Sequence, residues 1–90
     1  MQIRMRYRFT GEVQGVGFRF RAYHAANALG LTGWIGNEYD GSVTMEVQGD
    51  AAGIAALLDR LQKGLYIAID HVDGWKIPLA PAERAFQIRD

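Results

Sequence analysis

The chain predicts an α+β fold: a mainly antiparallel sheet with two helices on one face, in the order β-α-β-β-α-β. Three observations carry this. Apolar and polar residues alternate along residues 2–10 and 42–48, which is the strand period. Apolar residues recur at helical spacing along two other segments. Glycine, asparagine and proline separate the segments from one another.

Each element can be justified in turn. Ile3, Met5, Tyr7 and Phe9 alternate with Arg4, Arg6, Arg8 and Thr10, so residues 2–10 form a strand with one buried face. Gly11, Gly15 and Gly17 punctuate a loop. Phe18, Ala22, Ala25, Ala26 and Leu29 then fall at helical spacing, and Gly30 stands where a C-terminal cap belongs. Thr32 to Asn37 is a second strand, with Trp34 as its expected apolar anchor. Asp40-Gly41 signals a hairpin, and Ser42 to Gln48 is the third strand. Gly49 breaks it and Asp50 is the expected N-cap of a helix striped by Ile54, Leu57, Leu58 and Leu61. Gly64 ends that helix. Ile67 to Ile77 holds a fourth strand closed by Pro78 and Pro81, and Ala85 to Arg89 adds a short edge strand. The simplest packing is the ferredoxin-like βαββαβ sandwich, with residues 1–90 as one domain.

Composition narrows the function. About half of the residues (49%) are hydrophobic, ample for a packed core. There is no cysteine, which removes disulfides, thiolate chemistry and cysteine metal sites, and fits a reducing compartment. No segment reads as a signal peptide or a membrane span, so the expectation is a cytoplasmic protein. Net charge is zero, giving no bulk attraction to nucleic acid or membrane. The distribution is uneven, however. Residues 1–30 carry Arg4, Arg6, Arg8, Arg19 and Arg21 against one acid, Glu12. Arg4, Arg6 and Arg8 are read as a solvated strand face, and Arg21 as solvated.

The first strand-to-helix loop is where chemistry concentrates. Its glycines permit backbone angles that let successive N–H groups curl around an anion. The following helix adds free amides and the positive end of its dipole. The run fits neither the Walker pattern nor the dinucleotide fingerprint. Arg19 falls in the first helical turn, where a cation is disfavoured by roughly 0.3–1 kcal/mol. Either a protein acid or a bound phosphate could compensate it, and a guanidinium fork matches two phosphate oxygens. Asn37 closes strand two before the turn. Its amide can hold a water in a chosen orientation, or simply stabilise the turn backbone.

Together the segments resemble the acylphosphatase family. Gly11-Glu-Val-Gln-Gly-Val-Gly-Phe-Arg19 is similar to its signature G-x-V-Q-G-V-x-F-R. Gly33-Trp-Ile-Gly-Asn-Glu-Tyr-Asp-Gly-Ser-Val43 is similar to its second, a glycine–aromatic pair, an asparagine and then G-x-V. Leu29-Gly-Leu-Thr-Gly33 and Phe86-Gln-Ile-Arg89 extend the likeness over nearly the whole chain. Glu12 and Gly36 depart from it, standing where the family often has basic residues.

The resemblance implies a hydrolase that cleaves acyl phosphates to a carboxylate and inorganic phosphate. It makes Arg19 the substrate-binding catalytic arginine and Asn37 the water-orienting residue. The amides of Gly15, Val16, Gly17, Phe18 and Arg19 become the phosphate cradle. It implies no cofactor and no metal, and the reading expects a monomer with a small-molecule substrate. His24 and His71 lie far apart and form no ligand set. The fold admits two other readings. An RNA-binding domain would need exposed aromatics on strand three, where Thr44, Glu46 and Gln48 stand instead. A non-catalytic module that senses phosphate or another anion would keep the loop and lack turnover.

Overall fold

A computed structural model describes residues 1–64 and 67–89. The elements are β1 (Ile3–Glu12), α1 (Phe18–Ala28), β2 (Thr32–Asn37), β3 (Val43–Gly49), α2 (Ala51–Leu61), β4 (Ala68–Ile77) and β5 (Phe86–Arg89). They form a five-stranded sheet in the order β4-β1-β3-β2-β5. β1 is antiparallel to β3 and β4, β2 is antiparallel to β3, and β5 runs parallel to β2. This is the ferredoxin-like arrangement predicted, with the short edge strand in place.

Alternation and register decide where the core lies. Met5, Tyr7 and Phe9 stand opposite Val47, Met45 and Val43, and Ile35 stands opposite Met45. Opposed residues share a face. That face packs against Phe18, Ala22, Ala25 and Ala26 of α1 and Ile54, Leu57 and Leu61 of α2. The alanines leave α1 nearly flat on one side, so it lies close against β2, β5 and α2. Among the described residues, no helix is long and apolar enough to cross a membrane.

Several local expectations change. β1 runs on through Gly11 and Glu12, with a shift of its register against β4 between Thr10 and Gly11. Asp50 caps α2 by backbone position only: its side chain makes no cap bond and instead lies 3.5 Å from the Met1 amine. Trp34 is no core anchor. It points to the sheet's other face, where the guanidinium of Arg89 sits 4.7 Å and that of Arg6 5.7 Å from its ring centre.

That other face is not simply solvated. Arg4 is buried, and its guanidinium donates to Glu46, Gln48 and Glu83. Arg6 donates to Glu46 as well. Gln48 in turn both donates to and accepts from the backbone of Ala80. The segment between β4 and β5 therefore folds across this face and covers the part around Arg4 and Gln48. Arg21 is exposed as expected, and its Nε donates to the Arg60 carbonyl at the end of α2.

Candidate active site

Two strand ends and a helix start meet at one end of the sheet. Phe9 pairs with Val43, and Val43 pairs with Asn37, so the ends of β1 and β2 flank the start of β3. Phe9 and Val43 are fully buried under the helices. Asn37 shares their row and therefore their face. Its side chain belongs to the helix side of the sheet, the same side as the glycine loop.

The loop is shaped by alternating constraint and freedom. Val13 and Phe18 are buried at its two ends, and Val16 packs partly against the core between them. The Phe18 ring meets Phe9 edge-on at 5.1 Å, which seats the start of α1 on β1. Between these anchors Gly15 and Gly17 take left-handed angles, with φ of 71° and 79°. A Cβ at either would meet open space, so conformation and not crowding selects glycine there. Alternating hands of this kind turn successive amides toward one point.

Gly17 is also the N-cap of α1. Gly17 has no side chain to cap the helix, and the first turn holds no acid. The first intrahelical bond runs from the Arg21 amide to the Gly17 carbonyl at 3.0 Å. The amides of Phe18, Arg19 and Phe20 precede it and have no acceptor within the helix. A cavity of about 280 Å³ opens here, lined by Val13, Gly15, Gly17, Phe18, Arg19 and Phe20. Gly15, Gly17, Phe18 and Arg19 are thus brought together, with Val16 directed to the core.

Asn37 carries a second signal. Its Oδ1 is buried, and among the described residues nothing donates to it. A buried acceptor left so costs about 1–3 kcal/mol, which marks a position suited to a donor such as water. The turn beyond it is tightly held. The Glu38 amide donates to the Ser42 carbonyl at 2.9 Å. Asp40 accepts from the Ser42 amide and hydroxyl, at 2.9 and 2.6 Å, and from Arg8 at 2.7 Å. Those bonds from Ser42, then Arg8, hold the Asp40 carboxyl well below the usual carboxylate range.

Sequence reasoning gave Gln14 no role beyond its place in the signature. Its side chain donates to the carbonyls of Glu38 and Ser42, and so joins loop to turn. The available signal was a polar residue with a long side chain amid valines and glycines. His24 and His71 lie on α1 and β4 and are both exposed. Among the described residues no group of three or more histidine or acidic side chains is placed to hold a metal.

Known proteins resemble the chain over most of its length. The acylphosphatase family model matches residues 5–88. The acylphosphatase of Bifidobacterium longum is 40% identical over 82 residues, covering 89% of this chain and 84% of that protein. That of Rhizobium etli is 47% identical over 60 residues, 67% of this chain and 64% of that one. Among solved structures, an acylphosphatase from Coxiella burnetii superimposes with a TM-score of 0.89 at 29% identity, covering 98% of this chain and 93% of that one. With the sheet order, the glycine loop and the strand bearing Asn37 all falling inside these matches, the chain belongs to the acylphosphatase family, whose members hydrolyse acyl phosphates.

Proposed function

We propose that this acylphosphatase grips the phosphoryl group of its substrate with Arg19 and the amides of Gly15 to Arg19, while Asn37 aims the attacking water. The observation that carries the division of labour is the buried, unsatisfied Oδ1 of Asn37 on the same face and at the same end of the sheet as the loop.

The chemistry asks little of the protein. Phosphoryl transfer spreads negative charge over the outer phosphoryl oxygens, so fixed donors around them lower the barrier. The guanidinium of Arg19 and the loop amides supply those donors. The water oxygen bonds to phosphorus as the bond to the acyl oxygen breaks, and the carboxylate departs with the electron pair. A carboxylate is a weak base and leaves without a general acid. The substrate's own phosphate oxygens take the water's proton. Asn37 accepts a hydrogen bond from the water and holds it in line, which is catalysis by positioning.

We read residues 1–90 as one domain acting as a cytoplasmic monomer. The absence of cysteine, and a site assembled within one chain, support that reading.

The test is benzoyl phosphate hydrolysis by the wild type and two variants, with circular dichroism as the check on folding. Arg19→Ala should abolish turnover in a folded protein, and full activity there would sink the assignment. Asn37→Ala should lower kcat by about 100-fold, the cost of losing a positioned reactant, and leave inhibition by inorganic phosphate nearly unchanged. Loss of phosphate inhibition in Asn37→Ala would mean the two roles are exchanged.

A further inference from the structure

Gln14 stands inside the glycine loop, between buried Val13 and left-handed Gly15. Its amide nitrogen has two hydrogens, and both are used on one target. It donates to the Glu38 carbonyl at 2.8 Å and to the Ser42 carbonyl at 2.9 Å. These are the two residues that close the β2–β3 turn through their own backbone bond. Glu38 directly follows Asn37, and Ser42 directly precedes Val43, the residue paired with Asn37. One side chain therefore holds both legs of the turn at the point where Asn37 leaves the sheet.

The chemistry of the contact is selective. Two carbonyl oxygens face the side chain, so it must offer two donors and no negative charge. Glutamate would set a carboxylate against both oxygens. Methionine fills similar space and donates nothing. Asparagine keeps the amide but is shorter by one carbon, about 1.5 Å of reach. From the other face of the sheet, Arg8 secures the same turn through Asp40. The turn is thus fixed to β1 on one side and to the anion loop on the other.

We propose that Gln14 is a positioning residue: it sets the distance between the phosphate cradle and Asn37, and with it the alignment of water and phosphorus. The inference rests on the roles given above to Arg19 and Asn37. It requires that Gln14 act on turnover through Asn37 and leave phosphate binding alone.

A double-mutant cycle on benzoyl phosphate hydrolysis tests this, using Gln14→Met, Asn37→Ala and the two combined. Gln14→Met should lower kcat about 10- to 100-fold, the cost of roughly an ångström of misplacement. Its inhibition constant for inorganic phosphate should stay within about threefold of wild type, as a positioning role requires. The combined variant should be no more than about twofold slower than Asn37→Ala alone, because the alignment is already lost. Multiplying losses would overturn the proposal, since Gln14 would then act by another route. So would an unchanged kcat in Gln14→Met, or phosphate inhibition lost in step with kcat. Should Gln14→Met fail to fold by circular dichroism, Gln14→Asn enters the same cycle with the same expectations. Wild-type turnover in Asn37→Ala alone would remove the underlying assignment of Asn37, and is read separately from the cycle.

Discussion

Arg4 is 4% exposed, and its guanidinium reaches three acceptors from two separate segments: Glu46 and Gln48 on β3, and Glu83 beyond β4. The bond to Glu83 raises its pKa and outweighs the opposing effect of burial. A buried cation shared between acids adds little net stability when intact, yet removing it strands the acids. Arg4→Ala should therefore destabilise the fold by about 3 kcal/mol, measured by urea denaturation. A loss below about 0.5 kcal/mol would mean that the carboxylates reach water easily. This arrangement was not legible in the sequence. Period-2 spacing assigns Arg4 to the face opposite the core, but its partners are 42 and 79 positions away. By contrast the roles proposed for Arg19 and Asn37 rest on short local motifs, which a sequence displays directly. The contact of Gln14 with Glu38 and Ser42 crosses 24 and 28 positions and could not be read from either motif.

Among the elements, β2 is the one under tightest steric control. Gly33 has φ of 142°, and a Cβ there would lie 1.9 Å from the Glu46 carbonyl oxygen on β3. Neither backbone can yield without parting the two strands, and both strands carry the site. Gly33→Ala should cost about 3 kcal/mol, combining backbone strain with overpacking. It should also lower turnover, since Asn37 lies four residues along the same strand. Urea midpoints and benzoyl phosphate assays together check this, and a variant as stable as wild type would refute the close approach. The same glycines explain the misreading of Trp34. Gly33 and Gly36 interrupt the alternation, so the pattern did not say which face the indole takes. Ala85 to Arg89 reads as a short edge strand. The parallel pairing of β5 with β2 is a long-range arrangement that a four-residue segment does not encode.

At the scale of the molecule, acids and arginines on the sheet face away from the helices couple stability to pH. Burial alone would raise the Glu46 pKa, but the bonds from Arg4 and Arg6 outweigh it and hold the group below its ordinary 4.5. Asp40 is depressed in the same sense. A carboxyl with a lowered folded pKa stabilises the fold above its unfolded pKa, and that contribution vanishes as pH falls through the folded value. The chain should thus lose stability as pH drops below about 4.5. Glu46→Gln should be less stable at pH 7 and show a shallower acid slope, with Asp40 supplying what remains. Urea denaturation across pH 7 to 3 measures both, and identical slopes would show that Glu46 is not coupled to folding. The order of elements was legible throughout because each rests on local periodicity. How the segment between β4 and β5 covers part of the face away from the helices was not, since that depends on side chains of Arg4 and Gln48 far back in the chain.

Helix α1 begins at a glycine whose left-handed turn brings no side-chain oxygen to the first amides. A serine or aspartate at such a position typically contributes about 1 kcal/mol to a helix, and this helix does without it. Under the assignment of the loop to phosphate, the missing cap is supplied from solution. Mass action then links the reaction to the fold itself. A ligand at ten times its Kd that binds only the native chain adds about 1.4 kcal/mol to stability. Inorganic phosphate, the product of the reaction, would then also stabilise the fold.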